Sequence, residues 1–252
     1  MIKNMGNNNY LNIVEDAWLA RIIKRKTYRL NIDDIFAAVL LDKESKEYGI
    51  FEKFLKQPIF IYAKVLSTSI KSIKALEKSG FNLIDTNIVL EKEIFPSAKV
   101  VENWITRFAV AGDELRLERI AGSAFKYSRF HMDPLISKDI ADSIKVEWVR
   151  NFFKGARGDA MVVALDEEKP IGFLQLINNN DDVIFIDLIA VDGSYHGKGV
   201  AFAMVTFAEN NFAAKRLLRV GTQIANIPSL RLYEKAGFKI KESTYIFHYH
   251  NG

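Results

Sequence analysis

The sequence predicts an α/β chain of the α+β kind, a mixed sheet carrying helices. Three observations lead there. The apolar run 183–191 is followed by the glycine turn Gly197-Lys198-Gly199 and then by a helical pattern over 202–209. Residues 161–165 and 171–177 read as two strands joined through 166–170, a hairpin. Ile140, Ile144, Trp148 and Phe152 recur at four-residue spacing behind Ser137, a helix N-cap, and mark an apolar helical stripe. Further along, 217–222 reads as a strand, a helix ends at Ala236-Gly237-Phe238, and 242–250 alternates like a closing strand.

Composition narrows the function classes. The 252 residues, 49% of them hydrophobic, suffice for a well-filled core in one large domain or two modest ones. There is no cysteine, which removes disulfide scaffolds, thiolate zinc sites and a cysteine nucleophile. The histidines, His131, His196, His248 and His250, lack metal-ligand spacing, so no metal is expected. The net charge of +4 is spread among acids without a basic stripe, which argues against a nucleic-acid partner. Anionic small ligands account for the bias equally well. Residues 1–9 are too polar for a signal peptide, and no apolar run is long enough to cross a bilayer. The expectation is a soluble, cytoplasmic protein with no membrane partner.

The glycine turn is a cradle for an anion. Glycine takes backbone angles that other residues avoid and lets a ligand approach the chain closely. The first N–H groups of the following helix have no acceptor within it and point at negative charge, reinforced by the helix dipole. A pyrophosphate suits that geometry. Two common phosphate loops do not fit. No G-x-x-x-x-G-K-[ST] run occurs, and the third glycine of a dinucleotide fingerprint would fall on the bulky Phe202.

The run His196-Gly197-Lys198-Gly199-Val200-Ala201 resembles the R/Q-x-x-G-x-G/A signature with which the GNAT superfamily of acyltransferases cradles coenzyme A. His196 stands where that family carries Arg or Gln. The strand at 217–222, then Asn226, Ser229 and Tyr233 on a helix, are similar to the family's next landmarks. Within the superfamily, residues 122–130, Trp148, Thr222-Gln223 and 242–245 resemble acetyltransferases of nucleotide-linked amino sugars, the TDP-fucosamine enzymes among them. This resemblance covers roughly the last 135 residues.

The resemblance implies a GNAT fold with a splayed central sheet and acetyl-CoA as co-substrate. Leu188, Ile189, Ala190 and Val191 would line the pantetheine arm through their backbone, one N–H stabilising the oxyanion. A buried central strand explains the same four residues. His196, Gly197, Lys198, Gly199, Val200 and Ala201 would hold the pyrophosphate. Asn226 and Ser229 would contact coenzyme A, although helix capping explains them too. Tyr233 would protonate the departing thiolate, a phenol of pKa about 10 against a thiol near 8.5; a packing tyrosine is the competing reading. Ser128, Arg129, Phe130 and His131 would face the acceptor, with Arg129 suited to a diphosphate and otherwise a surface ion pair. His131 and His248 compete for the role of base, deprotonation through water is a third option, and Asp187 lies beside the acyl site.

The chain also echoes itself. Residues 64–81 align with 221–238 without a gap, and Ile70, Ser72, Glu77, Lys78, Gly80 and Phe81 meet identical partners. Duplication of a strand–turn–helix unit explains this; so does the preference of Gly for helix ends. Leu76 stands where the second copy has Tyr233, and no glycine cradle precedes the first copy. The expected organisation is a truncated, inactive GNAT-like domain over 1–95 and a catalytic domain over 96–252, divided near Phe95-Pro96-Ser97-Ala98.

The function these readings imply is acetyl transfer from acetyl-CoA to a nucleotide-linked amino sugar, a TDP-4-amino-4,6-dideoxyhexose, by direct attack in a ternary complex. A different amine acceptor, such as a peptide N-terminus or a polyamine, and a non-catalytic acyl-CoA sensor are the alternatives. Assembly as a homodimer is left open by the sequence.

Overall fold

The computed structural model describes residues 12–95, 104–178 and 182–252. Packing divides the chain into two compact units. Among the described residues, the first takes 12–87 with 132–135 and 243–252, and the second takes those of 88–131 and 136–242. The boundary expected at 95–98 falls, apart from Phe95, outside the described residues.

The first unit holds β1 (Ile13–Glu15), α1 (Ala17–Ile23), β2 (Lys26–Leu30), α2 (Asp34–Leu41), α3 (Lys46–Leu55), β3 (Ile59–Leu66), α4 (Ile70–Lys78) and the start of β4 (Asn82–Glu93). Three of its helices, α1, α2 and α3, begin where a short polar side chain accepts from the first turn. Asp16 accepts from the Leu19 N–H, Asp33 from Phe36 and Ser45 from Tyr48, at 2.9, 2.7 and 3.1 Å. The β-branched and aromatic run of β3 is parallel to β2 from Lys26↔Ile59 to Leu30↔Ala63. Phe36, Leu40, Phe51, Ile61, Leu76 and Phe247 fill the core of this unit.

The second unit continues with β5 (Ile105–Phe108), α5 (Glu114–Ala124), α6 (Lys138–Phe153), β6 (Ala160–Asp166), β7 (Lys169–Asn178), β8 (Val183–Val191), α7 (Val200–Asn211), β9 (Leu217–Gln223), α8 (Ile227–Lys235) and the start of β10 (Lys239–Asn251). Its strands lie in the order β4-β9-β8-β7-β6-β5. β8 and β9 are parallel, whereas the β5–β6, β6–β7 and β7–β8 pairs are antiparallel, so the mixed α/β sheet expected from sequence is present. Side chains of β8 alternate between two cores. Leu188 and Ala190 join Leu117, Ile120 and Val149 of α5 and α6, while Ile189 and Val191 pack against Val200, Met204 and Tyr233 of α7 and α8.

The expected hairpin forms, but its turn is tighter than the polar stretch 166–170 suggested. β7 begins at Lys169, opposite Asp166, and Pro170 pairs with Leu165 at a register shift. Glu167 makes the reversal with φ 54°. A bulge tolerates proline because it needs no ladder N–H there. Ser137 does cap α6, accepting from the Ile140 N–H at 3.4 Å. The buried face of α6 is Ala141, Ile144, Lys145 and Val149, a stripe that includes one lysine.

The two echoed segments share their geometry. β3 ends at Leu66 as β9 ends at Gln223, the helices Ile70–Lys78 and Ile227–Lys235 have equal length, and Gly80 and Gly237 close them at φ 84° and 85°. The last strand is shared out differently from the expected division. Residues 243–252 belong to the first unit because β10 pairs with β3 from Thr244↔Leu66 to Asn251↔Ile59. Among the described residues no helix is long and apolar enough to cross a membrane.

One ion pair ties the ends of α7 and α8 to β4. Lys92 Nζ lies 2.5 Å from Glu209 and donates to the Ala236 carbonyl at the end of α8, at 2.7 Å. A cation there also meets the negative end of the helix dipole. Lys92→Met strands a buried Glu209 carboxylate, and urea denaturation should show a loss of about 3 kcal/mol. A loss within experimental error would mean the pair contributes nothing.

Candidate functional site

The parallel ladder between β8 and β9 runs from Val183↔Leu217 only to Ile186↔Val220, yet β8 continues to Val191 and β9 to Gln223. Beyond Ile186 the β9-facing edge of β8 therefore has no ladder partner on β9, while its other edge stays paired with β7 as far as Gly172↔Val191. Gly172 permits that close approach, since a Cβ there would lie 3.0 Å from the Ala190 carbonyl oxygen. The register with β7 slips at Leu176↔Ile186 and Gln175↔Leu188, which leaves Asp187 as the extra, bulged residue.

The glycine turn comes next along the chain. Gly197 and Gly199 have φ 75° and 84°, and Gly199 is the N-cap of α7. Residues 196–199 are exposed, and a Cβ at either glycine would meet nothing within 4 Å. The space beside both glycines is thus open. Val200 is buried and Ala201 half-buried beneath the turn. Residues far away in sequence brace it. Trp104 Nε1 donates to the Lys198 carbonyl at 2.9 Å, and Tyr195, edge-on to the Trp104 ring, donates to Asp166 at 2.5 Å. Arg116 pairs with Asp192 just before the turn and donates from Nε to the Pro170 carbonyl. His196 Nε2 bonds the Val191 carbonyl at 2.9 Å, so this imidazole closes the turn back onto β8. His196 thus makes a structural contact at the position where the resemblance leads one to expect Arg or Gln.

On α8, Asn226 accepts from the Ser229 N–H at 3.3 Å and lies 3.4 Å from the Thr222 hydroxyl, a capping role. Ser229 is half-buried. Tyr233 is 1% exposed, its ring 5.3 Å from that of Phe238, in the same core cluster as Ile189, Val191 and Val200. Burial pushes its phenol well above the ordinary value, so the hydroxyl stays protonated at neutral pH.

Ser128, Arg129, Phe130 and His131 form a compact turn. Arg129 lies 4.4 Å over the Phe130 ring, and Phe130 is buried. His131 Nδ1 lies 2.6 Å from Ser128 Oγ and its Nε2 3.0 Å from Asp142. Burial lowers the His131 pKa against the opposing pull of Asp142, and Lys145 and Lys138 lower it further. With both ring nitrogens engaged, His131 is a peg between the turn and α6.

Sequence reasoning missed the group between that turn and the bulge. Lys145 is buried on α6, its Nζ 3.9 Å from the Trp148 ring centroid and 4.8 Å from that of Phe125. Arg157 lies 4.4 Å over the same Trp148 ring and grips Asp187 with two hydrogen bonds of 2.7 and 2.6 Å. Gln175, fully buried, donates from Nε2 to Asp187 at 3.1 Å. Asp187 is thus tied in a side-chain network. Only its place beside Leu188 was legible in advance.

His248 belongs to the first unit. Its Nδ1 and the Nε2 of His250 lie 2.6 and 2.7 Å from the same Asp133 oxygen. Burial alone would raise the Asp133 pKa, but these bonds and the Leu135 N–H hold it well below the usual carboxylate range. The three side chains have the atom types of a metal site. However, Arg25 lies 3.5 Å from His250 Nδ1, and a guanidinium has no acceptor. That leaves Nε2 carrying the proton and donating to Asp133. The arrangement fits a hydrogen-bonded cluster better than a ligand set.

The comparisons meet this geometry. Residues 128–238 match the model of the Acetyltransferase (GNAT) family. This chain carries a GNAT domain. It is 34% identical to the spore coat polysaccharide biosynthesis protein SpsD of Bacillus subtilis over 139 residues, 54% of this chain and 47% of that protein. The chain thus spans about half the length of that relative. It is 26% identical to a dTDP-fucosamine acetyltransferase of Escherichia coli over 191 residues, 73% of this chain and 79% of that one. A GCN5-related N-acetyltransferase from Sphaerobacter thermophilus superposes with a TM-score of 0.62 at 15% identity, over 96% of this chain and 78% of that one. At that identity the likeness speaks to the fold, which is that of GNAT proteins.

Gly199 gives the cradle a direct test. Gly199→Val forces a left-handed backbone onto a β-branched residue, a cost of roughly 1–2 kcal/mol, and pushes a side chain into the space before the helix. Calorimetric titration with acetyl-CoA should show affinity reduced by about tenfold or more, each tenfold being about 1.4 kcal/mol. Unchanged affinity would place the ligand elsewhere.

Proposed function

We propose that the protein is an acetyl-CoA-dependent N-acetyltransferase whose acceptor is the amine of a nucleotide-linked amino sugar. The observation that carries this reading is the early end of the β8–β9 ladder directly before the glycine turn. A thioester with a long amide-bearing arm and a pyrophosphate needs an unpaired strand edge followed by an anion cradle, in that order. The acceptor class is supported by the names of two relatives, one in spore coat polysaccharide biosynthesis and one acting on dTDP-fucosamine.

In this reading the backbone of Leu188, Ile189, Ala190 and Val191 binds the pantetheine arm, and one N–H there stabilises the oxyanion, an effect worth about 2.7–4 kcal/mol. The turn from His196 to Ala201 holds the pyrophosphate through its N–H groups. Tyr233 supplies the proton to the departing thiolate. Its raised pKa makes it a weaker acid, but the same dry surroundings raise the pKa of the thiol it serves, so the difference between them is largely kept. Asn226 and Ser229, at the start of the same helix, contact coenzyme A. The first unit has a different part. The β2–β3 ladder persists along β2, residues 31–33 after it contain no glycine, and buried Leu76 takes the place of Tyr233. It is an inactive GNAT-like partner.

The test is thiol release from acetyl-CoA across TDP- and UDP-linked amino sugars, with a polyamine and a peptide as controls. Selective turnover of a TDP-4-amino sugar is expected, and Tyr233→Phe should lower it about 100-fold with acetyl-CoA affinity unchanged. Turnover of the polyamine or peptide alone would replace the acceptor class, and tight acetyl-CoA binding without any turnover would make the protein a sensor.

A further inference from the structure

The face of the second unit carrying α5 and α6 holds a polar group that neither the acyl cradle nor Tyr233 uses. Lys145 is 5% exposed and, among the described residues, contacts aromatic rings and no carboxylate at ion-pairing distance. Buried lysines without an anion are rare. The charges facing it are Asp187 from β8, Arg157 from the segment after α6, and Arg129 and His131 from the turn after α5. Burial, the largest influence, lowers its pKa, Asp187 opposes this, and Arg129 and Arg157 add to the lowering, to about 7.

A second observation in the same side-chain network points to a ligand. Gln175 is fully buried, its Nε2 is held by Asp187, and its Oε1 has no hydrogen-bond donor among the described residues. A buried amide oxygen left unpaired is costly unless something donates to it. An amine supplies that donor. Gln175 stands opposite Leu188 in the β7–β8 register, beside the bulge at Asp187 and at the start of the unpaired stretch of β8. Asp187, Arg157, Trp148 and Lys145 then form an unbroken run of contacts from the bulge to the lysine amine.

We propose that the acceptor amine enters on this face, with Gln175 Oε1 accepting one of its N–H groups and Lys145 Nζ removing its proton. This rests on the acetyltransferase reading above. The acceptor arrives as an ammonium and gives one proton to the lone pair of neutral Lys145. The free amine attacks the thioester carbon, forming the C–N bond and the oxyanion, whose collapse breaks the C–S bond. The thiolate takes the Tyr233 proton, and the second proton shed by the acceptor nitrogen restores the phenol. Lys145 then returns its proton to solvent, so one proton is released for each amide formed. A base with a pKa near the working pH is the effective choice for that transfer.

The experiment compares the wild type with Lys145→Met, Lys145→Arg and Gln175→Leu, using acetyl-CoA and a TDP-linked 4-amino-4,6-dideoxyhexose as probes. For the wild type, kcat/KM for the amine should rise with pH through about 7, since the neutral lysine is the active form. Lys145→Met fills the same space without a base. It should lower the rate about 100-fold, leave acetyl-CoA affinity unchanged, and move the acid limb to the acceptor's own pKa. Lys145→Arg keeps a cation and should lose as much, which a purely charge-stabilising role would not produce. Gln175→Leu should raise the amine KM more than it lowers kcat. A pH profile and rate in Lys145→Met matching the wild type would overturn the proposal while leaving the acetyltransferase reading intact. An NMR titration of the lysine 13Cε signals, assigned through Lys145→Met, separates the two without any substrate. A Lys145 titration above pH 9 would also overturn it. Titration near 7 in a protein that turns over none of the amines would overturn the enzyme reading, and the catalytic step with it.

Discussion

The β8–β9 ladder ends at Ile186↔Val220, and much of the second unit is arranged around that interruption. Two parallel strands of this length would normally remain hydrogen-bonded throughout, because an unpaired backbone group inside a protein is costly. The path of β8 beyond the ladder is set instead by the turn into α7. The Gly197-Lys198-Gly199 turn is fixed by Trp104, Tyr195 and Asp166 on one side and by the His196–Val191 contact on the other. On the remaining edge, β7 keeps β8 straight except at the Asp187 bulge. A strand firmly held on one edge and without ladder partners on the other is the feature on which the proposed acyl-CoA site rests.

The echoed segments make an internal control for this idea. α4 and α8 have equal length and the same glycine ending, and each follows a strand that pairs parallel with an earlier one. Yet β2 keeps its ladder with β3 along its whole length, and the short Asn31-Ile32-Asp33 link, with its Asp33 cap, opens α2. An aspartate at a helix start supplies its own negative charge to the N–H groups that a phosphate would otherwise occupy. One copy of the pattern is closed by its own side chain, while the other is capped by glycine and left open.

Local pattern made much of this legible in the sequence. Strand alternation, the Ser137 cap and the glycine-ended helices each announce themselves within a dozen or so residues, which is the range over which periodicity acts. The resemblance to the family signature then gave the expectation of a cradle and Tyr233, in that order along the chain. Contacts between residues distant in sequence left no such mark. Nothing in the neighbourhood of Trp104 or Asp166 indicates that both end up bracing the Lys198 turn. Lys145 was hidden for a different reason. A lysine on a helical stripe reads as solvated surface, and only the aromatic surroundings of Phe125 and Trp148 reveal that it is buried. His131 and His248 were drawn out by residue type, but the structure gives them carboxylate partners that fix their rings.

The most direct measurement is amide hydrogen exchange with and without acetyl-CoA, read residue by residue. If the interrupted ladder and the glycine turn hold the donor, the amides of 188–191 and of 197–201 gain protection on binding while the β2–β3 ladder does not change. Protection confined to other segments, or binding with exchange at 188–191 and 197–201 unaltered, would contradict the account at its base.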